Sequence, residues 1–265
     1  IATPPHRDDM VFKGLLSKER HQFDAVDKVL LALRDPTRRG ATLCLPCGFG
    51  KTVVALNISA QMGGRTLVLC HKSCLMQQWQ ERIAQYLPAA NVGVIQGGRA
   101  EAGPEKDIVV GMLQSVYCHS YQEGTLAGFT TLIVDEAHHV PAATFLGAVG
   151  KVTCDTTLAL TATPDRRDGL APLLYAALGD VTFRVERPPI HGVVRISTLP
   201  CATSVVERRI RGPQSAVNMS RLITDLTADP QRTRVLVDDI APLLDADGGR
   251  RHVIVLSDRT AQLKE

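Results

Sequence analysis

The stretch Leu43–Thr52, LCLPCGFGKT, constrains the fold more than any other part of the chain. An apolar run, Ala41–Pro46, reads as a short buried strand. Gly48 and Gly50 then free the backbone to bend, and Lys51 and Thr52 open a helix continued by Val53-Val54-Ala55-Leu56. Strand, glycine loop and helix N-terminus in that order make an anion site, because backbone N–H groups and the positive end of the helix dipole face the same point. Lys51 is placed to reach the β- and γ-phosphates of a nucleotide, and the Thr52 hydroxyl to hold Mg²⁺. The full pattern G-x-x-x-x-G-K-[ST] asks for glycine where this chain has Leu45, so it is one glycine short while the Gly-x-Gly-Lys-Thr core stands. The plain alternative is an ordinary strand-to-helix turn that carries a lysine.

A second stretch adds chemistry. Thr131–Val134 reads as an apolar strand ending in Asp135-Glu136-Ala137-His138, and Thr161-Ala162-Thr163-Pro164 closes a third apolar strand, Leu158–Thr163. A strand that ends in paired carboxylates can put one on Mg²⁺, here Asp135, and the other, Glu136, on the attacking water as its base. An isolated Asp-Glu pair is more commonly a solvated acidic loop. The phosphate-loop pattern upstream and the threonines downstream argue against that here.

The segments LPCGFGKT, DEAHHVPAATF and LTATPDRRDGL resemble motifs I, II and III of superfamily 2 helicases of the DEAH-box type. The XPB-like branch, with its phage and large-DNA-virus relatives, is the nearest match. The resemblance covers residues 12–187 well and the remainder thinly. It implies ATP and Mg²⁺ as cofactors and a nucleotide site of Gln22, Pro46, Cys47, Gly48, Phe49, Gly50, Lys51 and Thr52. Within that site it implies catalysis by Lys51 and Glu136, and metal binding by Thr52 and Asp135. His138, Thr161 and Thr163 would couple the ATP site to motif III. Nucleic acid would be met by His71 and Lys72 after one strand and by Gln114 and Ser115 after another. The resemblance gives Gln22 the adenine edge. The family context Arg-x-x-Gln is broken, however, with Glu19 in place of the arginine and Arg20 one position later. Gln22 can equally be a helix-surface residue, and Gln114 and Ser115 can equally be polar residues capping a helix. The run PDRRDG also departs from the Leu-Val-Arg-Glu-Asp of the XPB branch proper. Arg166 and Arg167 in it suit nucleic acid or bare solvent alike.

Hydrophobic periodicity predicts helices over Ser17–Arg34, with Ser17 as N-cap, Lys51–Met62, Cys74–Leu87 and Ala171–Leu178. Strands are expected over Arg65–Cys70, Asn91–Gln96, Asp107–Met112 and Val181–Arg187. Strands alternating with helices through short loops predict an α/β domain, a parallel sheet with helices on both faces. This is the RecA-like P-loop NTPase core that the resemblance also implies, with the motifs at the carboxyl edge of the sheet. Trp79, the single tryptophan, is read as core packing. Residues 1–187 form this domain, and residues 188–217, opening on Pro188-Pro189, an interdomain connection. Residues 218–265 read as the start of a second RecA-like domain, with helices at Asn218–Thr227 and Pro230–Leu244 and a strand at Arg251–Leu256.

A chain of 265 residues, 45% apolar and 22% charged, can bury an ordinary core. Its net charge of +3 permits a nucleic-acid partner without arguing for one. No apolar run approaches the roughly 20 residues of a membrane span, so no membrane partner is expected. Seven cysteines, an odd count scattered through apparent strands, suit a reducing intracellular compartment. Cys44 and Cys47 form C-x-x-C, with Cys70, His71 and Cys74 downstream. A zinc site is the alternative to a strand cysteine followed by a loop cysteine. The start, Ile1-Ala2-Thr3-Pro4-Pro5, has neither an initiator Met nor a signal pattern and reads as that of a trimmed fragment.

The family's Gln-x-x-Gly-Arg-x-x-Arg element, whose arginines meet the γ-phosphate from the second domain, is not in this sequence. The expectation is therefore part of the motor of an ATP-dependent helicase or translocase, hydrolysing ATP feebly by itself. The rest of the second domain, or another copy, would supply an arginine. A catalytically weak, nucleotide-dependent nucleic-acid-binding module is the alternative. A P-loop kinase or GTPase is disfavoured by the Asp-Glu-Ala-His tetrad and the lack of Asn-Lys-x-Asp. The resemblance favours DNA over RNA.

Overall fold

A computed structural model describes residues 10–136, 142–162, 171–186, 218–245, 253–261 and 263. The chain divides into two compact units, Ile1–Pro189 and Ile190–Glu265.

The first unit is built on a sheet of strands β1 (Gly40–Cys44), β2 (Thr66–Cys70), β3 (Val92–Gln96), β4 (Arg99–Ala100), β5 (Ile108–Met112), β6 (Phe129–Asp135), β7 (Cys154–Thr161) and β8 (Val181–Arg184). Their spatial order is β4-β3-β5-β2-β6-β7-β1-β8. Every neighbouring pair is parallel except β3 with the two-residue β4. Parallel strands need crossover helices, and these cover both faces. Helices α1 (Gln22–Leu33), α2 (Lys51–Met62) and α3 (Ser73–Tyr86) share one core with Leu43, Val68, Val110, Ile133 and Leu160. Helices α4 (Leu113–Cys118), α5 (Ala142–Val149) and α6 (Ala171–Leu178) meet the other face, where Leu67, Leu69, Val109, Val134 and Ala159 point. Successive residues of one strand thus serve opposite layers, which is why β1 and β2 are buried along their whole length and read as unbroken apolar runs. The α/β architecture expected from the sequence is the one observed.

Close approach explains one glycine pair. A Cβ on Gly179 would lie 2.1 Å from the Gly40 carbonyl oxygen, and Gly179 has φ +94°. Only glycine lets the end of α6 turn directly against the start of β1.

Three local expectations are corrected. The first helix begins at Gln22 and not at Ser17, with His21 ahead of it in the left-handed region, φ 53°. Ser17 is no N-cap; its backbone N–H donates to Gln22 Oε1 at 2.7 Å, so residues 17–21 form a turn that clasps the glutamine. No element is expected between the strands Asn91–Gln96 and Asp107–Met112, yet Arg99–Ala100 forms β4 against β3. Residues 253–256, expected as a strand, form none, and Ile254 and Leu256 are exposed. A strand exists only where a neighbour takes its N–H and C=O groups, and the described residues of the second unit contain no other strand.

The second unit contains α7 (Met219–Thr227) and α8 (Pro230–Asp245). Asn218 caps α7, its Oδ1 accepting the Arg221 N–H at 3.1 Å. Arg259 holds its own segment to α7 by donating to Ser220 O at 2.8 Å and Thr224 Oγ1 at 3.0 Å. Among the described residues no helix is long and apolar enough to cross a membrane.

Candidate functional site

The carboxyl ends of β1, β7 and β6 lie side by side. Cys44 is opposite Thr161 in the β1–β7 register, and Leu160 is opposite Asp135 in the β7–β6 register. Chain segments far apart in sequence are thereby brought to one edge: the glycine loop after β1, Thr161 at the end of β7, and Asp135-Glu136 at the end of β6. The Leu45 N–H donates to Thr161 O at 3.0 Å, fastening the loop's first residue to β7.

The loop turns sharply. The Phe49 N–H donates to Pro46 O at 3.2 Å, and Gly48 and Gly50 take φ 83° and 82°. Gln22 props it from outside. Its Nε2 donates to Phe49 O at 2.8 Å, while its Oε1 is held by Ser17. Because a peptide's C=O and the following N–H point opposite ways, fixing the Phe49 carbonyl on Gln22 aims the Gly50 N–H to the other side of the loop. Arg20 adds a bond to Gly48 O at 3.1 Å. A side chain at Gly50 would strike Gln22 Nε2 at 2.4 Å, and Gln22 is buried and bonded at both ends, so it has nowhere to go. The expected adenine reader is thus placed with both polar ends on its own chain, buttressing the loop.

Lys51 opens α2 and reaches across the edge. Its Nζ lies 3.1 Å from Glu136 Oε1 and 3.4 Å from Leu45 O, and both charged side chains are largely buried. Glu136 carries φ 50°, a left-handed conformation that costs a non-glycine residue on the order of 1 kcal/mol. Its N–H donates to Leu160 O at 3.0 Å, which holds that turn in place. Asp135 precedes it, 7% exposed, and its Oδ2 accepts the Trp79 indole N–H at 2.9 Å. Burial pushes the Asp135 carboxyl above its ordinary range, and the Glu136 charge adds to that; the Trp79 bond, Lys51 and the Glu136 N–H oppose it. A buried carboxylate in that condition gains from a hard cation. Asp135 and the Thr52 hydroxyl in the first turn of α2 are oxygen donors of the kind Mg²⁺ takes, so the residues fit it.

The expected nucleic-acid residues sit at the same sheet edge, over β2, β5 and β3. Lys72, exposed, is the N-cap of α3, and Gln114 Nε2 donates to the carbonyl of His71 at 3.0 Å. Ser115 is buried and its Oγ accepts the Gly97 N–H at 2.8 Å, so its hydroxyl ties the turn after β3 to α4. His138 and Thr163, expected as coupling residues, and Arg166 and Arg167 lie outside the described residues. Cys44 is buried on β1 with its Sγ 3.7 Å from Ala162 O, and Cys47 is exposed in the loop. Trp79 and Arg20 were missed as contributors to the site. No local pattern marks either; a lone tryptophan in the helix after β2 was the only available signal.

The profile of the family described as "Type III restriction enzyme, res subunit" matches residues 16–166, more than half of the chain. The chain belongs to this family. Protein L396 of Acanthamoeba polyphaga mimivirus, named as a candidate ATP-dependent RNA helicase, is 29% identical over 259 residues, covering 96% of this chain and 48% of its own length. The DNA 3'-5' translocase XPB2 of Sulfurisphaera tokodaii is 36% identical over 150 residues, 57% of this chain and 33% of that protein. The chain thus spans at most about half the length of these relatives. In structure it resembles the SWI2/SNF2 ATPase core of Sulfolobus solfataricus solved with double-stranded DNA, with TM-score 0.52 and 19% identity over 64% of this chain and 37% of that one. That likeness identifies the fold alone, a RecA-like α/β core.

Proposed function

We propose that this chain is the nucleotide-hydrolysing half of an ATP-dependent helicase or translocase acting on nucleic acid, with DNA favoured over RNA. The observation that carries the reading is the 3.1 Å contact between Lys51 and Glu136 across the sheet edge, beside a buried Asp135. The phosphate-loop lysine and the strand-end carboxylates converge where a triphosphate, cradled by the N-terminus of α2, would lie. Lys51 would leave Glu136 for the more highly charged γ-phosphate. Glu136, released, would accept the proton of a water attacking that phosphate. Thr52 and Asp135 would hold Mg²⁺, which neutralises developing charge on the phosphates when bound. Thr161, between loop and carboxylates, would pass the state of the site on, together with His138 and Thr163. The name of the Sulfurisphaera relative and the exposed Lys72 support a DNA strand along the β2–β5 side. Residues 1–187 would be the ATP-binding domain, and residues 218–265 the beginning of its RecA-like partner.

The test is steady-state ATP hydrolysis with single- and double-stranded DNA and RNA, beside Glu136→Gln. Turnover stimulated by nucleic acid and reduced by about 10²-fold or more in the variant is expected, with nucleotide binding retained. Absence of ATP binding, or binding indifferent to Lys51→Ala, would overturn the reading.

A further inference from the structure

We infer that Trp79 is the positioning residue of the metal-binding carboxylate. The inference rests on the reading of Asp135 as the Mg²⁺ ligand. The indole N–H donates to Asp135 Oδ2 at 2.9 Å, and the two residues are 1% and 7% exposed, so water does not compete for the bond. A tryptophan that only filled the core could satisfy its single donor on any backbone carbonyl. This one spends it on a carboxylate 56 residues away in sequence, at the tip of a different element. Bulky packing on the α1–α3 face fixes the indole, with Leu56, Ile83 and Ile133 in the same core. The rigid ring then limits the swing of the carboxylate about its own side-chain torsions. Ligating carboxylates are commonly oriented by such outer partners, and losing one typically costs 10–100-fold in metal affinity. Phenylalanine at this position keeps most of the ring and lacks the donor, so Trp79→Phe separates packing from orientation.

Because the chain contains one tryptophan, its ¹⁵N spectrum has one indole N–H signal, and that signal reports on this contact alone. The experiment follows the signal in the full chain with a non-hydrolysable ATP analogue, first in EDTA and then with Mg²⁺. Alongside, Mg²⁺ is titrated against binding of a fluorescent ATP analogue in the parent chain and in Trp79→Phe. The signal is expected to move when Mg²⁺ joins the nucleotide. The Mg²⁺ midpoint of the variant is expected to rise about tenfold, which corresponds to about 1.4 kcal/mol, with nucleotide affinity in EDTA unchanged. An indole signal that ignores Mg²⁺ overturns the inference. So does a variant whose midpoint stays within about twofold, or one that loses as much affinity in EDTA as with metal, since that is a packing defect. If the variant does not fold, the indole signal of the parent chain decides alone. Metal-dependent nucleotide binding with a silent indole removes this inference and leaves the proposed function standing. No nucleotide binding at all removes both.

Discussion

Asp135 sits where its own charge is disfavoured. Its carboxyl is raised in the folded chain chiefly by burial, so ionisation is harder there than in the unfolded chain. The sign of the linkage follows: above the raised value the ionised carboxylate counts fully against folding, the penalty shrinks as pH falls from that value towards the ordinary 3.8, and below 3.8 it is gone. An asparagine side chain in its place would carry no charge and could still accept the Trp79 bond through its amide oxygen. Without metal, Asp135→Asn is therefore expected to melt at a higher temperature than the parent chain at pH 7, with the difference closing in acid, while Mg²⁺-dependent nucleotide binding is lost. Calorimetry in EDTA across pH checks this, and a less stable variant at pH 7 would refute it. Stability given up at one residue for binding is the usual exchange at functional sites. The left-handed Glu136 beside it is a second instance.

Elements are joined by bonds that no periodicity reveals. Arg65 stands just before β2 and is 7% exposed. Its guanidinium donates to Ala102 O at 2.7 Å, Gly103 O at 3.0 Å, Lys106 O at 3.2 Å and Ala127 O at 3.2 Å, and lies 4.5 Å from the Phe129 ring centre. One side chain thereby fastens the loops that lead into β5 and β6 to the start of β2. Arg65→Met would strand these carbonyls, at a cost of about 3 kcal/mol. Arg65→Lys would recover little, because an ammonium lacks the planar fork. Urea unfolding should show a lower midpoint with an unchanged slope for both; a methionine variant as stable as its parent would show that water replaces the arginine. Such bonds mark the limit of what the sequence discloses. The strands β1, β2 and β5 were legible because buried parallel strands are unbroken apolar runs, and the phosphate loop because its glycines and Lys51 are local. The Trp79–Asp135 bond, the clasp of Ser17 on Gln22 and the role of Arg65 were not. Each pairs residues through the fold, and the residue types have commoner uses. Helix α5, rich in alanine and following a proline, also passed unnoticed.

For the molecule as a whole, the strand list decides what can stand alone. Among the described residues all eight strands lie between Gly40 and Arg184, and the two cores draw only on residues from Met10 to Val185. Every described residue assigned to the nucleotide site, from Gln22 to Thr161, falls inside the same unit, Ile1–Pro189. A sheet that owns its helices on both faces needs nothing further to bury its apolar surface. A chain ending at Pro189 is therefore expected to unfold in one cooperative transition and to bind Mg²⁺ and ATP within about threefold of the full chain, less than about 1 kcal/mol by the affinity relation. Hydrolysis should fall further than binding if the second unit contributes to the chemistry, since in the proposed function binding would use only the loop, α2 and Asp135. Titration of a fluorescent ATP analogue against both chains measures the first quantity, and phosphate release the second. If the shorter chain fails to fold, or binds ATP far more weakly, then residues 190–265 are part of the nucleotide-binding unit, and the proposed boundary between ATP-binding domain and partner is wrong.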